Sequence, residues 1–182
     1  GVDPKAAEEI GRSCPEVDVT IRYQEGVQQV LLNGEDVSGL IRTEEVGNMA
    51  SAVSGYMPVR EKLVELQKQL AAKENVIMDG RDIGTCVLPD APAKIYLTAS
   101  VEVRAVRRYK ELLEKGMEAD LKEIEKDIED RDYRDMHREH SPLKQAEDAV
   151  LLDTSSMTLD QVVEEILKIV REKGYKAAGG CA

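Results

Sequence analysis

In the second half of the chain, short apolar runs alternate with long helical patterns, a rhythm that few folds accommodate. NVIMD (75–79), AKIYLTAS (93–100) and AVLLD (149–153) read as strands. Between the second and third lie a helix over SVEVRAVRRYKELLEKG, ended by Gly116, and a charged helical stretch over roughly 118–139. After the third comes LDQVVEEILKIVREKG, where Thr158 and Gln161 have capping-box spacing and Val162, Val163, Ile166 and Ile169 face a core. Strands separated by helices imply right-handed parallel crossovers, hence an α/β fold with a parallel sheet flanked by helices.

The first half has a different period. Lys5 to Gly11 reads as a short helix closed by Gly11, with Pro15 separating it from the next segment. DVTIRY alternates, with Val19, Ile21 and Tyr23 on one face; Gly26 marks a turn, VQQVLL is a second strand, and Asn33-Gly34 is a two-residue hairpin turn. A small antiparallel ribbon results. Thr43 is the expected N-cap of a helix over EEVGNMASAVS, and Pro58 opens PVREKLVELQKQLAAK, whose Val59, Leu63, Leu66 and Leu70 form one stripe.

At 182 residues the chain can bury a substantial core. With 25 Lys and Arg against 36 Asp and Glu, the formal net charge is -11. That balance gives no broad basic face for nucleic acid or an anionic membrane. No apolar run is long enough to cross a bilayer, and GVDPKAAEEIG has no signal-peptide core. Three widely spaced cysteines form no C-x-x-C pair and fit a reducing cytoplasm. With no Phe or Trp, the core falls to aliphatic residues and base-stacking platforms are not expected.

Ligands of open parallel sheets bind beyond the carboxyl ends of the strands. The first strand runs into Asp79, Gly80, Arg81 and Asp82; the second ends at Thr98 and Ser100; the third ends at Asp153, Thr154 and Ser155. A carboxylate after a buried strand suits hydrated magnesium, glycine permits close backbone approach to a phosphate, and Arg81 offers a bidentate fork. An ordinary capped turn with a surface Arg–Asp pair fits the same residues.

Arg104, Arg107 and Arg108 share one helical face, and RDYRDMHR sets Arg131, Arg134 and Arg138 along one side with Asp132 and Asp135 among them. Two arginine clusters in an acidic chain suit a multiply charged anion such as a nucleotide. The alternative is a solvated helix laced by Asp127–Arg131, Asp130–Arg134 and Arg131–Asp135 pairs. His137 and His140 stand three apart, with no third and fourth metal ligand at a recognisable spacing.

VIMDGRDIGTCVLPDAPAKIYLTASVEVRAVRRYKEL and RDYRDMHREHSPLKQAEDAVLLDTSSMTLDQVV closely resemble the bacterial cytidylate kinases of the nucleoside monophosphate kinase group, as do LNGEDVSGLIRTEEVGNMASAVS and PVREKLVELQ. The match runs to about Lys173 and carries DGRDIGT and RDxRDxxR. The resemblance implies a phosphate-loop kinase fold and phosphoryl transfer from ATP, with Mg2+, to CMP or dCMP, in a cytoplasmic monomer. It implies that Ser51, Arg60 and Asp82 read cytosine, Arg131 and Asp135 hold the ribose, and Arg81 and Arg138 grip the acceptor phosphate. It further implies that Asp79 lies near the metal, through water rather than as an assigned ligand, and that Arg104, Arg107 and Arg108 belong to a mobile lid at about 104–118. In that frame residues 17–42 are the antiparallel insertion of the CMP-binding domain, 1–16 and 43–174 the kinase core, and 175–182 a disordered tail.

One feature of the resembled family is missing. No G-x-x-x-x-G-K-[ST] loop occurs in the sequence, which resembles the family from a point beyond it, so its first strand is lacking too. The expectation is an N-terminally incomplete kinase that does not turn over by itself. The alternative is a noncatalytic CMP-binding module without a donor site.

Overall fold

The computed structural model describes residue 3 and residues 6–174, so the expected tail lies outside the described residues. The chain divides into two compact units, Gly1–Ile77 and Met78–Ala182.

In the first unit, α1 (Ala7–Ser13) continues through Gly11 into a 3-10 turn at Cys14–Glu16 rather than closing at the glycine. Packing accounts for the difference: a Cβ on Gly11 would stand 3.3 Å from Pro58 Cγ, so the bare backbone lets the two helices meet. The ribbon forms as its sequence requires. Strands β1 (Val19–Gln24), β2 (Val27–Leu32) and β3 (Glu35–Asp36) pair antiparallel in order, with Val19 opposite Leu32 and Gln24 opposite Val27. Both of its turns place two residues at positive φ, Glu25 with Gly26 and Asn33 with Gly34, as two-residue hairpins of right-handed twist demand. Of the ribbon's apolar residues only Leu31 is buried, whereas Tyr23 is largely exposed.

Thr43 caps α2 (Glu44–Val53) by accepting from Val46 N, and α3 (Met57–Lys73) carries Pro58 in its first turn. The α3 stripe is half-buried at best, and Leu63 is exposed.

The second unit is built on two parallel strands, β4 (Ile95–Thr98) and β5 (Val150–Asp153), in the register Ile95–Val150 to Thr98–Asp153. Residues 75–79 do not form the expected first strand: Ile77 is 103% exposed and no ladder is made. An apolar run supplies strand propensity, but a strand needs a neighbour at hydrogen-bonding distance, and no described strand takes that place. After Asp82 the chain instead forms a short π-turn, Ile83–Val87, closed by Leu88 N donating to Ile83 O at 2.7 Å.

The crossover between β4 and β5 contains α4 (Val101–Glu114) and α5 (Leu121–His137); α6 (Leu159–Glu172) follows β5. Caps fix their ends. Ser100 accepts from Val103 N, Asp120 from Lys122 N and Glu123 N, and Thr158 with Gln161 closes a full capping box. Gly116 follows α4 at φ +72°, a conformation that suits glycine. Val87, Ala99, Ala105, Leu152 and Ile169 form this unit's core.

Candidate active site

The carboxyl ends of β4 and β5 are tied together before any ligand is considered. Thr154, the residue after β5, donates from its amide and its hydroxyl to Thr98 O at 2.8 and 3.0 Å. Ser155 Oγ accepts from Ser100 N at 2.9 Å and donates to Asp153 Oδ1 at 2.6 Å, and this hydroxyl, joined by the Ser155 amide, holds the Asp153 carboxyl below its usual pKa. Two arginines of α4 are anchored on this edge. Arg107 donates to Thr154 Oγ1 and to Thr154 O, and Arg104 Nε donates to Ala99 O at 2.9 Å. Arg108 turns away along its own helix to Glu111.

From α5, two aspartates one turn apart reach different elements. Asp132 accepts a bidentate fork from Arg104, at 3.1 Å from Nη1 and 2.6 Å from Nη2. Asp135 accepts from Arg81 Nε at 2.7 Å. At the C-cap of the same helix, Arg138 points back to the residue after Arg81: its Nη2 lies 3.7 Å from Asp82 Oδ1, while its Nε donates to Ser141 O at 2.6 Å. Consecutive residues 81 and 82 are thus cross-paired with residues 135 and 138, which brings two guanidinium and two carboxylate groups into one cluster.

That cluster is not fully satisfied. Arg138 Nη2 is buried, and 3.7 Å is too long for a hydrogen bond to Asp82, so this charged donor has no hydrogen-bond partner among the described residues. An unspent buried guanidinium N–H is costly unless something else accepts from it, and the acceptor best matched to an arginine fork is a phosphate or carboxylate.

Among the described residues, Arg131 and Asp79 do not join this network. Arg131, one turn before Asp135, is exposed and makes no ion pair among the described residues. Asp79 is exposed. The nearest atom to a Cβ built on Gly80 is Ile83 Cγ1 at 2.9 Å, so what that glycine accommodates here is the following π-turn. Arg60 stands in the first turn of α3, in the other unit, and the side chain of Ser51 lies outside the described residues. The surface pairing Asp127–Arg131, Asp130–Arg134 and Arg131–Asp135 does not form; Asp135 reaches Arg81 instead, and Arg134 donates to the Asp130 carbonyl. His137 stacks on Tyr133 with centroids 4.1 Å apart.

Sequence reasoning missed Asp132 as a ligand of Arg104, Thr154 as the seat of Arg107, and Lys94. The last is buried at the amino end of β4, donating to Pro89 O and, at 2.9 Å, to Asp148 Oδ1, with Asp148 Oδ2 at 2.8 Å in the same ion pair; it lowers the Asp148 pKa. A lysine entering an otherwise apolar strand was its one visible signal.

For a metal, the donor set is sparse. Among the described residues no three His, Cys, Asp or Glu side chains converge, and Asp79 is a single exposed carboxylate. Such a donor fits a hydrated Mg2+ carried in on nucleotide phosphates, held through water, rather than an ion caged by protein.

Parallel strands joined by helices, with basic side chains gathered at their carboxyl ends, define an α/β protein of the phosphate-loop kinase type. The chain belongs to the cytidylate kinase family, whose profile matches residues 1–172. It is 54% identical over 155 residues to a cytidylate kinase of Lactobacillus johnsonii, covering 85% of this chain and 67% of the relative. It is 45% identical over 168 residues to that of Cupriavidus necator, covering 92% and 74%, and 45% identical over 175 residues to that of Enterococcus faecalis, covering 96% and 77%. The chain thus spans about two thirds to three quarters of the length of these relatives.

Proposed function

We propose that the protein phosphorylates CMP or dCMP with Mg2+-ATP, giving CDP or dCDP and ADP, and that Arg81, Asp82, Asp135 and Arg138 form the heart of its acceptor site. The observation that carries this reading is the cross-paired cluster with its unspent Arg138 donor. Before substrate arrives, Arg81 and Arg138 are neutralised by Asp135 and Asp82. An acceptor phosphate takes over the guanidinium forks, and the two carboxylates are then available to sugar hydroxyls and to the base. Asp82 reads cytosine, whose exocyclic amine needs a carboxylate acceptor. Arg131 and Asp135 hold the ribose.

Phosphoryl transfer asks little covalent help of a protein; positioning and charge neutralisation carry it. Arg104, Arg107 and Arg108 serve the donor side as part of a lid at about 104–118, over a core of residues 1–16 and 43–174 and an antiparallel insertion at 17–42. Mg2+, when bound, neutralises charge on the nucleotide phosphates, and Asp79 is the residue to hold it through water. The site is assigned to a cytoplasmic monomer that takes free nucleotides rather than nucleic acid; among the described residues no helix is long and apolar enough to cross a membrane.

The test is a coupled ADP-release assay with CMP and Mg2+-ATP, run on the whole gene product beside these 182 residues. Turnover is expected from the former only, because no G-x-x-x-x-G-K-[ST] loop occurs in the latter. In the active protein Asp82→Ala raises KM for CMP by on the order of 100-fold while leaving KM for ATP nearly unchanged, the size expected when a buried hydrogen-bonding edge loses its partner. Equal losses for both nucleotides rule out the base-reading role. CMP binding without transfer by the whole gene product supports a noncatalytic CMP-binding module instead.

A further inference from the structure

The motif RDYRDMHR contains two charged residues, Asp132 and Arg134, that the proposed acceptor site leaves without a task, and Arg134 bonds back to its own helix at Asp130 O. Asp132 stands one turn before Asp135 on α5, yet it faces a different partner. Its two oxygens receive Nη1 and Nη2 of Arg104, and the same guanidinium donates through Nε to Ala99 O at the end of β4. Three of the five N–H donors of Arg104 are therefore committed, in one plane, to two elements. Two remain, on a side chain that is one third exposed.

An arginine held at three points cannot rotate about its last side-chain bonds as a surface arginine does. Whatever anion it meets, it meets with a fixed pair of donors. The alternative, a surface ion pair of no consequence, does not account for the geometry: an exposed pair contributes little and is seldom both bidentate and braced by a backbone carbonyl.

We propose that Asp132 is a positioning residue for the donor side of the reaction: it fixes the plane of Arg104 so that its two remaining N–H groups are presented to the phosphates of ATP. This rests on the reading that α4 belongs to the lid over the donor. It divides the two aspartates of α5 by substrate, Asp135 serving the acceptor through Arg81 and Asp132 serving the donor through Arg104. Asp132 touches neither nucleotide and acts through Arg104.

Charge and geometry pull in opposite directions here, which makes the role testable. Asp132→Asn keeps the shape but removes a negative charge beside Arg104, so anion attraction rises as alignment is lost. In the whole gene product, kcat for CMP phosphorylation falls on the order of 10- to 100-fold, the cost of misplacing an aligned group. KM for ATP stays unchanged or drops, and KM for CMP stays within about twofold. Asp132→Glu, which retains the fork, recovers most of kcat. Asp135→Asn gives the opposite split, raising KM for CMP. The proposal is overturned if Asp132→Asn leaves kcat intact, or if it raises both KM values together as a general loosening of the fold does.

A second readout keeps the proposal separate from the functional reading. The Arg104 Nη protons, which the fork to Asp132 holds, exchange slowly with solvent by nitrogen-15 NMR in the unsubstituted protein and in Asp132→Glu, and quickly in Asp132→Asn. Failure of the unsubstituted protein to phosphorylate CMP removes the functional reading while this exchange still reports whether Asp132 orients Arg104. Equal exchange in all three proteins removes the positioning role even if CMP is phosphorylated.

Discussion

The two ends of the β4–β5 pair use the same ingredients, basic side chains set against aspartates, to different effect. At the amino end, Lys94 is 7% exposed and donates to Pro89 O and to Asp148 Oδ1, its ion-pair partner, with its stem against Gly84. The ammonium is buried between two acceptors. At the carboxyl end Arg104 keeps two N–H groups uncommitted, and within the same unit Arg138 Nη2 is buried with no hydrogen bond among the described residues. A compact ammonium closed on all sides is a clamp, whereas a forked guanidinium with surplus donors awaits a partner. Leftover hydrogen-bonding capacity, rather than charge or burial, separates the structural end from the chemical one.

Three substitutions sharpen or break that contrast. The largest effect belongs to Arg138→Met, which lowers kcat/KM for CMP by on the order of 100-fold or more, well beyond what chemical denaturation shows for the lost Nε bond to Ser141 O, because its unspent Nη2 donor serves a ligand. Lys94→Met does the reverse: it leaves the Pro89 carbonyl unpaired and costs about 2 kcal/mol of stability in urea denaturation, with KM for CMP nearly unchanged. If Arg138→Met instead unfolds the protein and Lys94→Met abolishes CMP binding, the contrast is inverted and the assignment of ends is wrong.

The smallest effect is one of pH. The Ser155 hydroxyl and amide lower the Asp153 pKa, so the turn that ties the two strand ends contributes fully above the ordinary aspartate value of about 3.9 and is lost as pH falls through the lowered one. Asp153→Asn therefore flattens the acid limb of the stability curve and leaves stability near neutrality little changed, measured by thermal melts across the acid range.

Local chemistry was legible in the sequence wherever it decided the structure locally. Asn33-Gly34, the Thr43 and Thr158 caps and the Gly116 stop each stand where short-range hydrogen bonds or a positive φ require them. The family-bearing runs likewise located Arg81, Asp82, Asp135 and Arg138, which the fold brings together. What escaped depends on partners distant in sequence. NVIMD has the composition of a strand but no described neighbour to pair with. Helical spacing offers Arg131 and Asp135 to each other, yet Asp135 is taken by a residue 54 positions away. The π-turn after Asp82 escaped because IGTCV matches neither a period of two nor one of 3.6.

That turn has a consequence for how the proposed acceptor site can change. The amides of Thr85, Cys86 and Val87 all converge on the carbonyl of Asp82, at 3.3, 2.8 and 3.3 Å. The main chain at this position is pinned from within its own loop, without recourse to the carboxylate it displays. A different side chain installed there inherits the same perch, so in the proposed acceptor site the group offered to the base can be exchanged without rebuilding the frame that presents it.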